Sequence, residues 1–115
     1  IPDIILSDGE IKLIIDTKYK ILDSRKPRFG VSQSDIYQMF AYARKYDCSK
    51  VVLLYPWSEN LGDLPKTDVL QVYRFDKNSR LYIAIVNLRR DLRSCEELEN
   101  LKVEFRNLIQ RISEE

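Results

Sequence analysis

The sequence contains no histidine, and this single absence excludes several kinds of site. Ser-His and Cys-His catalytic pairs, and zinc sites built on imidazole, all require that side chain. The two cysteines, Cys48 and Cys95, are in no C-x-x-C spacing, so neither a zinc knuckle nor a redox motif is indicated. One disulfide between them stays open, although two buried thiols are the simpler expectation. An enzyme with this composition has to use carboxylates, lysine and hydroxyl groups.

Glycine, methionine and long apolar runs are also scarce. The three glycines, at 9, 30 and 62, are too scattered to form a P-loop or a dinucleotide-binding loop. No apolar run approaches the roughly 18 residues that cross a bilayer, and no signal peptide is visible. We therefore expect a cytoplasmic protein without membrane attachment. Because Met39 is the single methionine and the chain opens inside an apolar run, we expect the C-terminal part of a longer polypeptide.

The residues that are present describe one domain over residues 1–115. Of these, 44% are hydrophobic and 32% charged, a balance that allows a buried core. Nineteen basic and 18 acidic residues leave a net charge of +1, so bulk charge indicates neither nucleic acid nor a membrane as a partner. Without histidine, the composition favours a hard ion such as Mg²⁺ held by oxygen ligands.

Hydrophobic periodicity predicts five strands and two helices in the order β-β-α-β-β-β-α. Capping-box patterns at 32–35 and 94–97 mark the starts of the two helices. The β-α-β step predicts an α/β fold with a mixed sheet, a right-handed crossover and flanking helices. The predicted strands are residues 1–7, 10–19, 50–57, 68–75 and 80–88.

An Asp-Gly pair at 8–9 predicts a two-residue hairpin turn between the first two strands. In that register Ile5 faces Lys12, and Asp3 faces Ile14 and lies diagonal to Asp16, about 7–8 Å away at the backbone. Asp3, Asp16 and Lys18 then share one face of the sheet. Two carboxylates at this spacing can bind one Mg²⁺, with the lysine near a bound phosphate.

Two acid-x-lysine patterns compete for this role. The pattern at 10–12 (Glu-Ile-Lys) ranks lower, because its acid sits at the turn, far from Asp3. Asp16 and Lys18 instead follow the apolar residues 13–15, where charges are costly unless they are paired or bound to a ligand. The alternative to a catalytic role is a simple ion pair between these two residues.

The residues of this hairpin resemble a known nuclease core. Pro2-Asp3, followed after the turn by Asp16-Thr17-Lys18, is similar to the PD-(D/E)xK pattern. The resemblance implies a restriction-endonuclease-like fold with an N-terminally truncated core.

A second motif narrows the resemblance. Gln38-x-x-x-Tyr42 resembles the QxxxY motif of RecB-like members, although ordinary packing at the core boundary would also explain both residues. The segments IIDTKYK, DIYQMFAYA and VVLLYP resemble the McrC-type nuclease subunit of McrBC 5-methylcytosine restriction systems. This likeness covers about residues 1–57 and fades towards residue 88.

The resemblance implies a Mg²⁺-dependent endodeoxyribonuclease, with Mn²⁺ as an alternative ion. Its metal ligands would be the carboxylates of Asp3 and Asp16 and the carbonyl of Thr17. Its catalytic residues would be Asp3, Asp16, Lys18, Gln38 and Tyr42.

The implied partners are DNA and an AAA+ GTPase of the McrB type, which docks through regions absent from this chain and recognises the methylated site. Two alternatives stay open. One is another RecB-like nuclease of repair or phage defence. The other is a catalytically inactive nuclease fold used for DNA binding or assembly.

A basic segment follows the second strand and predicts a contact with nucleic acid. Lys20, Arg25, Lys26 and Arg28 are opposed by Asp23. Such a cluster can follow DNA phosphates, although a solvated loop explains it equally well.

Overall fold

The computed structural model describes residues 1–7 and 9–115, so Asp8, the first residue of the predicted turn, lies outside the described residues. Five strands form one mixed sheet in the order β1-β2-β3-β5-β4. The strands are β1 (Ile4–Ser7), β2 (Ile11–Thr17), β3 (Lys50–Pro56), β4 (Asp68–Phe75) and β5 (Ser79–Val86), and the helices are α1 (Gln33–Lys45) and α2 (Cys95–Glu114). The predicted α/β class and element order are confirmed.

The three central strands carry the core because they are apolar on both faces. β2 and β3 are parallel, as are β3 and β5. Alternate side chains enter different cores, since successive residues of a strand point to opposite faces. Ile14 and Leu53 pack on the α1 side, and Ile15 and Leu54 on the α2 side. The sheet therefore lies between two apolar layers, one under each helix.

Both helices begin at the predicted caps. The Ser32 hydroxyl accepts a hydrogen bond from the Asp35 N–H at 3.1 Å, and the Ser94 hydroxyl accepts one from the Glu97 N–H at 3.4 Å. These bonds satisfy N–H groups that have no partner within the first turn. The predicted apolar face of α1 is buried at Ile36, Met39 and Ala43 and half-buried at Phe40.

The predicted hairpin register is wrong by two residues. Ile5 pairs with Ile14 instead of Lys12, and an irregularity between Leu6 and Ser7 changes the pairing near the turn. Away from that irregularity, a two-residue shift keeps each side chain on its predicted face, because the strand period is two. It moves Asp3 from the diagonal position to one level with Asp16.

The two cysteines and the membrane expectation can also be compared with the structure. Both cysteines are free; Cys48 is buried, whereas Cys95 is exposed because it opens the first turn of α2. The expectation of a buried thiol at Cys95 is therefore wrong. Neither helix in the described ranges is long and apolar enough to cross a membrane.

Candidate active site

The carboxyl end of β2 carries the acid around which the candidate site is built. Asp16 follows the buried residues Ile14 and Ile15 and pairs with Leu53 of the central strand β3. It is 5% exposed. Because a carboxylate at this depth is costly without partners, its neighbours have to offset the loss of hydration.

Asp3 reaches the same place from the residue before β1. Its N–H donates to Oδ1 of Asp16 at 3.3 Å. Its own Oδ2 accepts from the Thr17 hydroxyl at 2.7 Å and from the Thr17 N–H at 2.9 Å, and these two bonds lower the pKa of the Asp3 carboxyl. The structure thus brings the two aspartates together, while their role as metal ligands stays a prediction.

Lys18 lies one residue beyond β2, with its N–H still bonded to the Leu54 carbonyl at 2.9 Å. Its ammonium group is 3.1 Å from Oδ2 of Asp16, 3.2 Å from Oε1 of Gln38 and 3.5 Å from Oδ1 of Asp35. Burial alone would lower the pKa of Lys18, but the bonds and charges of Asp16 and then Asp35 leave that pKa above its ordinary value. The lysine is therefore held as a cation.

Helix α1 contributes the other two predicted site residues. Gln38 accepts from Lys18, and its amide nitrogen donates to the Tyr42 hydroxyl at 3.1 Å. Burial, and then the negative charge of Asp16, raise the pKa of Tyr42. The two side chains therefore extend the Asp16–Lys18 pair along one helix face. Whether they act in catalysis stays a prediction.

Asp35 is a neighbour of the site that the sequence reasoning missed. The pattern at 32–35 identified it as part of a helix cap, and its N–H does bond to Ser32. Its carboxylate, however, points to Lys18 instead of closing the cap. A signal was present, because residues at i, i+3 and i+7 (Asp35, Gln38 and Tyr42) share one helix face.

Tyr55 of β3 is a second neighbour that the sequence did not indicate. Its side chain is fully buried, and among the described residues its hydroxyl has no hydrogen-bond partner. Burial raises the pKa of Tyr55, and the charges of Asp35 and Asp16 raise it further. The apolar pattern of residues 50–57 gave no sign that this strand carries a polar group near the acids.

The donor chemistry at this site fits a hard divalent cation. Asp3 and Asp16 offer carboxylate oxygens, and Thr17, which directly follows Asp16, offers a backbone carbonyl. Oxygen ligands of these kinds suit a hard cation such as Mg²⁺. Across residues 1–7 and 9–115, no three His, Cys, Asp or Glu side chains gather into a metal-binding group. A cation here would therefore rest on two carboxylates, with water or substrate oxygens as further ligands, which is usual for Mg²⁺.

The rival acid-x-lysine pattern lies at the other end of the sheet. Glu10 and Lys12 line a polar cavity of about 670 Å³ together with Lys50, the first residue of β3. Asp16 and Lys18, by contrast, lie beside the carboxyl end of β3. The two patterns are thus separated along the strands, and Asp3 accompanies the second.

The basic segment is exposed, and two of its cations have local partners. Arg25 forms an ion pair with Asp23 at 2.9 Å, and the Lys20 ammonium group donates to the Gly30 carbonyl. The Arg25 bonds lower the pKa of Asp23 to about 2. Contact with nucleic acid stays a prediction for the four exposed side chains, Lys20, Arg25, Lys26 and Arg28.

The five-stranded mixed sheet, with a helix packed on each face, is an α/β fold consistent with a restriction-endonuclease-like core. Residues 1–56 match the family described as "McrBC 5-methylcytosine restriction system component". The predicted resemblance to McrBC systems is confirmed by this match.

One solved structure is similar in fold. It is described as a half-complex from the tetradecameric assembly of Thermococcus gammatolerans McrB AAA+ hexamers with bound McrC. The similarity has a TM-score of 0.54 at 22% identity and covers 86% of this chain. This chain spans 22% of that longer chain. No curated protein sequence is significantly similar.

Proposed function

We propose that this chain is the catalytic part of a McrC-type subunit, a Mg²⁺-dependent endonuclease that hydrolyses DNA phosphodiesters. The observation that carries the proposal is the ammonium group of Lys18, 3.1 Å from the buried carboxylate of Asp16, with Asp3 hydrogen-bonded to the same strand end. The family match over residues 1–56 supports it, because it covers all of these residues.

The residues divide the chemistry among them. Asp3, Asp16 and the Thr17 carbonyl would hold Mg²⁺, with Mn²⁺ as an alternative ion. When bound, such an ion supplies an acidified water and screens phosphate charge. Lys18 neutralises the charge that develops on the phosphate oxygens as the bond to water forms.

The proposed partners are DNA and an AAA+ GTPase of the McrB type. The similar solved structure, described as McrC bound to McrB AAA+ hexamers, supports the second partner. We place the enzyme in the cytoplasm, where cellular DNA and such a motor would be available. Cleavage that needs no GTPase would instead favour another RecB-like nuclease.

Substitution at the site tests the proposal directly. In the full-length protein with its GTPase, Asp16→Ala and Lys18→Ala should each lower Mg²⁺-dependent cleavage of methylated DNA by about 100-fold or more. The measurement is the rate at which supercoiled plasmid is cut, with circular dichroism to verify folding.

The rival pattern provides a matched control. Lys12→Ala removes the same side chain at the opposite end of the sheet and should leave cleavage unchanged. Full activity in either Asp16→Ala or Lys18→Ala would contradict this active site. Wild-type protein that binds DNA and the GTPase but never cuts would identify an inactive nuclease fold.

A further inference from the structure

We propose that Asp35 is a positioning residue for Lys18, holding its ammonium group at the site once Asp16 binds a cation. The inference rests on the proposed nuclease function. It concerns a residue for which the sequence indicated a role in helix capping alone.

The ammonium group of Lys18 has three N–H donors, and three oxygens surround it. The distances are 3.1 Å to Asp16, 3.2 Å to Gln38 and 3.5 Å to Asp35. The Gln38 contact is a hydrogen bond, and the two carboxylate contacts are ion pairs. A phosphate oxygen can contact Lys18 only in competition with these three oxygens.

Asp16 is the partner that releases the lysine. A divalent cation competes with the ammonium group for the Asp16 carboxylate, and the two positive charges repel each other. The oxygens of Asp35 and Gln38 then keep Lys18 in place. Both come from α1, which is fixed by its buried residues Ile36 and Met39, so the two acceptors move as one unit.

The charge of Asp35 matters because Gln38 is neutral. The Lys18 side chain is 25% exposed, so an ammonium group repelled by the bound cation has an open path into water. A carboxylate on the α1 side opposes that movement. The backbone of Asp35 is itself fixed, since its N–H caps the helix by bonding to Ser32.

The test compares Asp35→Ala and Asp35→Asn in the full-length protein. In Asp35→Ala, kcat for DNA cleavage should fall about tenfold or more, with KM for DNA changed less than about threefold, because a misplaced catalytic group affects the chemical step. Asp35→Asn should fall between wild type and Asp35→Ala, since its amide oxygen accepts a hydrogen bond but carries no charge. Asp63→Asn, an exposed aspartate outside the site, is the matched control and should retain wild-type kinetics.

Two readouts separate positioning from other roles. The affinity for Mn²⁺, measured by electron paramagnetic resonance, should be lost in Asp16→Asn and unchanged in Asp35→Asn. Pulse labelling of amines, followed by mass spectrometry, should show Lys18 reacting several-fold faster in Asp35→Asn than in wild type, with Lys45 as the internal reference.

Three results would overturn the inference. They are a loss of Mn²⁺ affinity in Asp35→Asn equal to that in Asp16→Asn, wild-type kcat in folded Asp35→Ala, and unchanged labelling of Lys18. If wild type neither binds Mn²⁺ nor cuts DNA, the proposed function fails and the inference fails with it. If wild type does both, any of the three results above overturns the inference alone.

Discussion

The carboxylate of Asp16 is buried, so the surrounding residues have to supply the hydrogen bonds and positive charge that water would otherwise provide. The sequence predicted that Asp16 follows the apolar residues 13–15 at the end of a buried strand. It also predicted that Lys18 lies on the same face of the sheet. The sequence did not identify Asp35 and Tyr55 as neighbours of the site. A residue in a helix cap and a tyrosine in an apolar strand both have ordinary structural explanations. Their proximity to Asp16 depends on how α1 and β3 pack, which the sequence pattern does not encode.

At the same scale, Asp23 should stabilise the fold in a pH-dependent manner. Arg25 donates to its carboxylate from the side chain and the backbone, and these bonds lower the pKa of Asp23 to about 2. Since the folded pKa lies below the unfolded one, the stabilisation is complete above about pH 4 and is lost as pH falls towards 2. Urea unfolding of wild type and Asp23→Asn should therefore give a difference in unfolding free energy that shrinks across this interval.

Asp63→Asn is the control for that experiment, and its difference from wild type should stay small and flat with pH. A wild-type advantage over Asp23→Asn that persists undiminished from pH 7 to pH 2 would contradict the role given to the Arg25 bonds.

At the scale of elements, local sequence signals predicted most of the helix and strand boundaries. The pairing register of the first two strands was not predicted correctly. The caps at Ser32 and Ser94 and the strand Asp68–Phe75 were predictable because each depends on neighbouring residues. The hairpin register was not, because the irregularity between Leu6 and Ser7 depends on how two strands meet. The acids still share a side of the sheet, since parity, unlike exact pairing, survives a shift of two residues.

The cap of α1 gives a prediction for this scale. Ser32→Ala removes the acceptor of the Asp35 N–H and should lower the free energy of unfolding by about 1 kcal/mol. Ser32→Asn keeps a capping oxygen and should retain most of the stability. Chemical denaturation measures both, and equal stability of wild type and Ser32→Ala would show that this cap contributes nothing.

At the scale of the whole molecule, net charge conceals a local asymmetry. The net charge is +1, yet exposed basic side chains cluster in the segment between β2 and α1. This segment begins directly after Lys18 of the candidate site. A DNA strand lying at the site would pass near these side chains. Affinity gained in this way depends on salt, because each neutralised phosphate releases counterions.

Charge reversal in this segment tests the contact. The triple variant Arg25→Glu, Lys26→Glu, Arg28→Glu should weaken DNA binding and flatten its salt dependence. Each lost phosphate contact should reduce the slope of log affinity against log salt by about 0.9. Fluorescence anisotropy over a series of salt concentrations in the full-length protein gives that slope.

A second triple variant is the control, because it makes the same change of charge outside the basic segment. Arg44→Glu, Lys45→Glu, Lys77→Glu alters exposed residues at the end of α1 and in the β4–β5 turn, and the slope should stay at the wild-type value. Identical slopes for wild type and the Arg25 triple variant would exclude the basic segment as a phosphate contact.

Side chains on the first two strands alternate between the two faces of the sheet, and this limits how the hairpin can change during evolution. A shift of the pairing by an even number of residues keeps Asp3 on the same side of the sheet as Asp16, because the strand period is two. An odd change inverts the first strand and carries Asp3 to the α2 side of the sheet. Homologous proteins that keep both acids should therefore differ in this connection by even steps, or compensate an odd step with another irregularity.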